Sequence, residues 1–276
     1  MYQKSKFFIL SIFGMMIFIS SYAQHSDTLK ISSQTKIAEG VSLFTTDIFE
    51  NVLYVNNKNE LIKIDKKGML VGVYSRRING DLAVIDATNA LKIIAYYPDF
   101  LNLTILDNFL SPLSEVSFRA FDNAGGLKLI CSSTENGFWI YDELSRSIKN
   151  VNENLDLSRS SGDLYQLLSY LPNPTKIISY KNQQYLYDKK HGIYFFDEFG
   201  AYVKTIPIVG ASDFQIKENE ILFTRENELL SYNPMSLKTT TIHTFQLNDL
   251  KSIRRENNSL YVLAGKELFL YSIDHK

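Results

Sequence analysis

The chain has 276 residues, of which 45% are hydrophobic and 21% charged, with one cysteine and a formal net charge of −1 at pH 7. This composition is typical of a folded protein and excludes a disordered or disulfide-stapled chain. The balanced charge argues against a nucleic-acid partner, because a phosphate-binding surface carries a basic excess, and one thiol cannot build a cysteine-ligated metal site.

The N-terminal segment has the pattern of a signal peptide. Two lysines precede an apolar run over 7–19, which is shorter than the roughly 20 residues that span a bilayer as a helix. Ser21-Tyr22-Ala23 then matches a signal-peptidase site, so we predict a signal peptide over 1–23 and export to the periplasm, the outer membrane or the medium. The alternative is a retained membrane anchor. The mature chain, with 27 basic and 30 acidic residues, has a charge of −3 and no further apolar stretch of spanning length.

A repeated unit organises residues 24–276. Each copy has a short apolar strand, a polar turn, an aromatic-rich strand that ends in Asp or Asn, a tight turn and a further strand. The closing Asp or Asn stands at positions 65, 107, 142, 197, 233 and 274, at steps of 42, 35, 55, 36 and 41 residues. A spacing near 40 with four short strands is typical of a β-propeller. We therefore predict a single all-β domain, a six-bladed β-propeller of four-stranded antiparallel blades.

The two ends of the repeat predict how the ring closes. The last unit stops two residues after Asp274, which leaves no room for an outer strand, whereas the alternating stretch 28–37 is otherwise unassigned. We expect that N-terminal strand to complete the last blade, because an open ring would expose unpaired sheet edges. The 55-residue step predicts an insertion loop over about 152–175 with a short helix at 164–168. A seventh blade would have to lie there.

Two stretches carry a resemblance to a known family. They are Asn136-Gly137-Phe138-Trp139-Ile140-Tyr141-Asp142 and His191-Gly192-Ile193-Tyr194-Phe195-Phe196-Asp197-Glu198-Phe199-Gly200. Both resemble blades of the NHL-like six-bladed propellers, in particular uncharacterised secreted bacterial ones. The resemblance covers most of residues 28–274 and implies the fold without specifying a chemistry.

The shared Asp predicts which face of the ring is functional. Stretches such as Asp65-Lys66-Lys67-Gly68 suit a tight turn, so we interpret the Asp as a turn former between the third and fourth strands. The turns between second and third strands then lie on the opposite face with the connections between blades, and we predict that this face binds partners. These segments are 56–60, 98–100, 133–137, 188–192, 225–228, 265–266, 75–81 and the insertion 152–175.

Nine residues near this face are candidate binding residues. The pair Arg76-Arg77 is suited to a carboxylate or phosphate, and the turn with Tyr97, Asp99 and Phe100 to a protein or a sugar. The others are Arg159, Tyr165, His191 and Arg225. For each group the alternative is a solvated charge or a core aromatic. Trp139 and Cys131 lie in apolar runs and are predicted to be core residues.

No motif indicates an enzyme. The four histidines lack metal-ligand spacing, and no nucleophile elbow, phosphate loop or zinc-protease motif occurs. The predicted innermost strands 176–180, 213–217 and 252–256 offer only Asp213 and Glu256 as carboxylates. The leading hypothesis is a non-enzymatic exported propeller, without cofactor or metal, that binds an envelope protein or secretion-machinery protein. The alternative is a small-ligand or glycan hydrolase or lyase, or a carbohydrate-binding module.

Overall fold

A computed structural model describes residues 30–121, 126–135 and 137–274 as a ring of six four-stranded antiparallel sheets. This confirms the predicted all-β, six-bladed propeller. The predicted signal peptide lies outside the described residues. None of the helices in the described part of the chain has the length and apolarity needed to cross a bilayer.

Each blade runs from an innermost strand to an outermost strand, in chain order except in the last blade. Blade 1 has β2 (Leu43–Thr46), β3 (Val52–Val55), β4 (Leu61–Ile64) and β5 (Leu70–Tyr74). Blade 2 has β6 (Val84–Asp86), β7 (Ile93–Tyr97), β8 (Asn102–Leu106) and β9 (Pro112–Ser117). Blade 3 has β10 (Leu127–Ser133), β11 (Gly137–Asp142), β12 (Ser147–Asn152) and β13 (Leu157–Ser160).

The second half of the ring follows the same plan. Blade 4 has β14 (Pro174–Tyr180), β15 (Gln183–Asp188), β16 (Gly192–Phe196) and β17 (Tyr202–Ile206). Blade 5 has β18 (Asp213–Lys217), β19 (Glu220–Arg225), β20 (Glu228–Asn233) and β21 (Lys238–Thr244). Blade 6 has β22 (Leu250–Glu256), β23 (Ser259–Ala264), β24 (Glu267–Asp274) and β1 (Lys30–Glu39). The described residues also contain the short helix α1 (Leu164–Leu168) and the 3-10 turns Arg77–Asn79 and Phe118–Ala120.

The N-terminal strand closes the ring as predicted. Strand β1 pairs antiparallel with β24 from Lys30 opposite Asp274 to Glu39 opposite Glu267. An ion pair between Lys36 and Glu267, 3.0 Å apart, lies on the same pair of strands. Blade 6 therefore combines the first described strand with the last three, and β1 covers the edge of β24.

The core lies between blades. Tyr96 and Tyr97 are neighbours on β7 and are 0% and 1% exposed, so both faces of this middle strand are buried. This explains why the middle strands are continuous apolar runs. Trp139 and Cys131 pack with Leu186 and other residues between blades 3 and 4, which confirms that they are core residues. Burial raises the pKa of the Cys131 thiol well above its ordinary value.

The turn-forming role of the repeated Asp or Asn is confirmed in the turns between third and fourth strands. In four of them one side-chain oxygen accepts the backbone N–H groups two and four residues later, at 2.8 to 2.9 Å. The four residues are Asp65, Asp107, Asn152 and Asp197. Asn233 accepts from the second and third residues after it.

The assignment of Asp142 to this position is wrong. Asp142 ends β11 and closes the turn between the second and third strands of blade 3, as Asp188 does in blade 4. Its carboxylate also accepts the N–H groups two and three residues later. This turn therefore has a local pattern like that of the turns between third and fourth strands. The equivalent residue in blade 3 is Asn152. With it the steps become 42, 45, 45, 36 and 41, and the unusual 55-residue step disappears.

The two faces of the ring can now be defined. The hairpin face carries the turns between first and second and between third and fourth strands, and the connector face carries the other turns and the blade-to-blade connections. The turn around 133–137 lies on the hairpin face, contrary to the prediction, because it joins β10 to β11. The predicted insertion 152–175 is instead the turn 153–156, the outer strand β13 and a connection that holds α1.

Candidate functional site in the central channel

A cavity of about 370 Å³ occupies the central channel and opens toward the hairpin face. Innermost strands of blades 1, 2, 4, 5 and 6 contribute to its lining. Side chains alternate along a strand, so every second residue of β18 and of β22 lies on the same side of its strand. Three polar residues share one side of each strand: Asp213, Gln215 and Lys217 on β18, and Ser252, Arg254 and Glu256 on β22.

The end of the channel nearer the connector face is closed by an inner cluster of Lys176, Asp213, Ser252 and Arg254. Asp213 accepts hydrogen bonds from Lys176 Nζ and Ser252 Oγ, and from Arg254 Nη1 at 2.6 Å. Arg254 also lies 5.8 Å above the ring of Phe44. Lys176 and Arg254 line the cavity, whereas Asp213 lies behind them.

The charges of the inner cluster act strongly on one another. Burial opposes ionisation of Asp213, but Arg254 and Lys176 hold the pKa of its carboxyl well below the usual range. Burial and the charge of Arg254 lower the pKa of Lys176 to about 8, against the opposite effect of Asp213. Asp213 is therefore ionised at neutral pH, and two cations share its single negative charge.

An outer cluster lies nearer the cavity mouth. Glu256 accepts hydrogen bonds from Thr46 Oγ1 at 2.6 Å, Gln215 Nε2 at 3.1 Å and Lys217 Nζ at 3.2 Å. In this outer cluster the charges of Lys217 and Glu256 balance each other. Glu256 is thus a structural link between blades 1, 5 and 6.

Asp86 also lines the channel, and none of the ion pairs among the described residues includes it. Its oxygens accept the N–H of Ser132 at 2.6 Å and of Thr88 at 2.8 Å. Within residues 30–121, 126–135 and 137–274 no group of three or more His, Cys, Asp or Glu side chains is placed to hold a metal ion. The channel therefore offers hydrogen bonds and charge, with donors in excess at its inner end.

The candidates of blades 1 and 2 lie at the connector face. Arg76 forms an ion pair of 2.8 Å with Glu115, and Arg77 lies 3.8 Å from Glu60. Phe100 is exposed and is stacked by Arg119. Asp99 packs against Gly80, and Tyr97 is buried in the core rather than displayed at the surface. Strand β7 extends through Tyr97, the last residue before the turn, so the Tyr97 ring lies between blades.

The other candidates are scattered around the ring. His191 is hydrogen-bonded to Asp188 and stacked on Tyr170, with ring centroids 4.1 Å apart. Arg225 lies over Phe223 at the connector face. Arg159 departs from the prediction, because it stands on β13 and pairs with Glu135 at the hairpin face. The nine residues therefore do not converge on one site.

Tyr165 belongs to an apolar surface at the connector face, which we call the α1 patch: Leu144, Tyr165, Leu167 and Leu171, each at least half exposed. Asp163 caps α1 by accepting the N–H of Tyr165, and Arg146 Nε donates to the same carboxylate at 2.9 Å. The opposite side of α1 is anchored by Leu164, which is fully buried. A single turn of helix is thus held firmly with its apolar side chains outward.

Sequence reasoning named Asp213 and Glu256 as carboxylates of the innermost strands, but it did not connect Asp213 with Arg254 of β22. It missed Lys176, because the search of the innermost strands counted carboxylates alone. The available signal was the strict alternation of polar and apolar residues in 213–217, which places three polar side chains on one face of an innermost strand.

Comparisons with known proteins support the fold. The chain matches no family model, and no curated protein matches its sequence. A solved structure described as a streptogramin B lyase has a TM-score of 0.62 at 12% identity over 89% of this chain and 97% of that chain. The Pan2 WD40 domain of Neurospora crassa gives 0.60 at 7% identity, over 91% and 97% of the two chains.

A third similar structure, BBS1N in complex with ARL6DN, has a TM-score of 0.58 at 9% identity over 91% of this chain and 98% of that chain. At such identities the similarity establishes the propeller fold alone. The three structures include a lyase and a domain bound to a protein, so the fold is compatible with either class of function.

Proposed function

We propose that this chain is an exported, non-enzymatic propeller that binds a protein partner in the bacterial cell envelope through its α1 patch. The observation that carries the proposal is the exposure of four large apolar side chains on a short, well-anchored helix and the adjoining turn. Exposed apolar clusters of this kind on folded proteins are typical of interaction sites. One specific form is an accessory subunit of an outer-membrane secretion or motility machine, by analogy of fold alone.

The geometry of the patch favours a protein partner. Arg146 and Asp163 form an ion pair at its centre, and the Arg146 guanidinium lies 6.0 Å from the Tyr165 ring centroid. An apolar surface with an arginine and a tyrosine is typical of interfaces between proteins. We also propose that the chain is related to the secreted NHL-like propellers.

The test is affinity purification from native membranes with a matched pair of double variants. Leu167→Asp with Leu171→Asp should abolish recovery of the partner, because two charges would be buried at the interface. Met235→Asp with Leu237→Asp makes the same change on the hairpin face, at residues that are 88% and 67% exposed, and should leave recovery intact. Recovery of the wild-type protein alone, as a free monomer, would contradict the proposal.

A lyase or another small-ligand enzyme acting in the channel is the second candidate. This candidate is favoured by an open cavity that contains charged side chains, since a channel filled with apolar side chains would have removed it. Against it, Asp213 and Glu256 are each bonded to a cation. Turnover of a ligand in the channel, lost in Glu256→Gln but retained in the α1-patch variant, would establish this candidate instead.

A further inference from the structure

The inner cluster holds more positive charge than its own carboxylate can balance. Lys176 and Arg254 are both bonded to Asp213, and within the described residues neither forms an ion pair with another acid. Buried charges are costly unless they are paired, so the surplus cation calls for a counter-charge. Asp86 acts on Lys176 through space and supplies negative charge, but its hydrogen bonds come from two backbone N–H groups and none comes from either cation.

Both cations keep donors that the protein does not use. Every hydrogen bond from the Arg254 side chain to a described residue comes from Nη1, which leaves Nε and Nη2 available. Lys176 Nζ donates to Asp213 and, at 3.3 Å, to the carbonyl of Phe214, which leaves one of its three protons. The Nε–Nη2 edge of an arginine is suited to a carboxylate, which it binds with two parallel hydrogen bonds.

The remainder of the cavity defines the rest of the ligand. Ile85, Ile178 and Ile216 line the walls toward the mouth, so an apolar body can be buried above the cations. A cavity of about 370 Å³ is in the size range of small-molecule sites. Asp86 and Glu218 also line the cavity and repel anions, so a singly charged carboxylate is favoured over a doubly charged phosphate.

We propose that the channel cavity binds an amphipathic monocarboxylate, with its carboxylate on Arg254 and Lys176 and its apolar body against the three isoleucines. Arg254 and Lys176 are the binding residues, and Asp86 disfavours ligands of higher negative charge. This site is independent of the α1 patch, which lies on the other face of the ring.

The experiment is calorimetric titration of the mature chain with hexanoate, acetate and inorganic phosphate at constant ionic strength. We expect saturable binding of hexanoate, weaker binding of acetate because less apolar surface is buried, and no binding of phosphate. Arg254→Gln should weaken hexanoate binding at least about tenfold, since it removes a charge-assisted pair of hydrogen bonds. Asp86→Asn should tighten binding several-fold by removing a like charge.

Arg255→Gln is the matched control, because Arg255 is the next residue of β22 and does not line the cavity. It should bind hexanoate as the wild type does. Thermal unfolding of each variant establishes that it is folded, and Lys176→Met, which leaves Arg254 and Asp213 as a balanced pair, is a second variant that should weaken binding. Unchanged hexanoate binding in Arg254→Gln, tighter binding of phosphate than of hexanoate, or no saturable binding by the folded wild type would each overturn the proposal.

Discussion

The two faces of the ring differ in how regular their turns are. On the hairpin face one side-chain hydrogen-bond pattern recurs in the turns between third and fourth strands and gives those of blades 1, 2 and 4 equal length. On the connector face Asn56 shows the same pattern, but the connections between blades differ in length and are fixed by their own contacts, such as Arg146 with Asp163 or Arg76 with Glu115. The repeat thus constrains the outer turns of the hairpin face and leaves the connections between blades free to vary, which is where the α1 patch lies.

The position of the central cavity is a second difference between the hairpin face and the connector face. It opens on the regular hairpin face, whereas the apolar patch suited to a protein lies on the irregular connector face. The proposed small-ligand site is formed by innermost strands, and the proposed partner site by a connection between blades. The following predictions test whether the hairpin face is the structurally constrained one.

The largest effect is expected at Lys63, which forms a fully buried ion pair with Asp47, 2.8 Å away, and donates to Asn108 of the next blade at 2.6 Å. Lys63→Met should lower the free energy of unfolding by about 3–5 kcal/mol, because it leaves a buried carboxylate unpaired. Urea unfolding measures this. Adding Asp47→Asn should restore much of the loss, and Lys66→Met, in an exposed turn, should change little. Equal effects of Lys63→Met and Lys66→Met would refute the role assigned to the pair.

A smaller loss is expected where blade 1 meets the hairpin turn of blade 2. A Cβ on Gly72 would lie 2.2 Å from the carbonyl oxygen of Phe109, so the backbone of one blade must move. Gly72→Ala should cost about 3 kcal/mol, the upper end for overpacking. Gly68→Ala meets no atom within 4 Å but has a φ of +80°, and should cost only about 1–2 kcal/mol. Thermal unfolding distinguishes the two, and a larger loss for Gly68→Ala would contradict the close contact.

The inner cluster predicts a pH dependence of stability. The folded chain releases the Lys176 proton near pH 8, whereas the unfolded chain keeps it up to about the ordinary lysine pKa of 10.5. The unfolded state therefore holds more protons on Lys176 above pH 8, so this residue should raise the free energy of unfolding with pH between about 8 and 10, with a slope of at most one proton, while the buried Cys131 thiol opposes the rise above about pH 9. Urea unfolding over this range should show a more positive pH slope in the wild type than in Lys176→Met. An identical pH slope in both would contradict the assignment.

The measurement must stop near pH 10 because buried tyrosines act in the opposite direction above it. Burial raises the pKa of Tyr141 and Tyr185 to about 12. The unfolded chain ionises these residues first, so stability falls as the pH rises beyond about 10. This loss should be equal in the wild type and in Lys176→Met.

The smallest effect is expected on the connector face. Arg146→Ala removes the ion pair that ties α1 to the turn between β11 and β12. In the wild type the hydrogen bond from Arg146 holds the pKa of the Asp163 carboxyl below its usual value. We expect several-fold faster amide hydrogen exchange at the end of α1, with no measurable change in the unfolding midpoint, because the buried Leu164 still anchors the segment. Global destabilisation comparable to that of Lys63→Met would show that the two faces are equally constrained.

The fold was predictable because blade spacing, strand composition and ring closure all leave local patterns in the sequence. The register of blade 3 was not, since Asp142 and Asn152 both end strands and both accept hydrogen bonds from the turn that follows. The inner cluster was hidden for a different reason. Lys176, Asp213 and Arg254 lie on three strands of three blades, and only closure of the ring brings them together.

The pairing of β1 with β24 also constrains how the molecule forms. Residues such as Lys36 and Glu267, 231 positions apart, must meet before the ring is complete. Contacts of such long range carry a large loop-closure cost and slow folding. The ring therefore cannot close before β24 has been synthesised, and a chain that lacked β1 would expose the edge of β24.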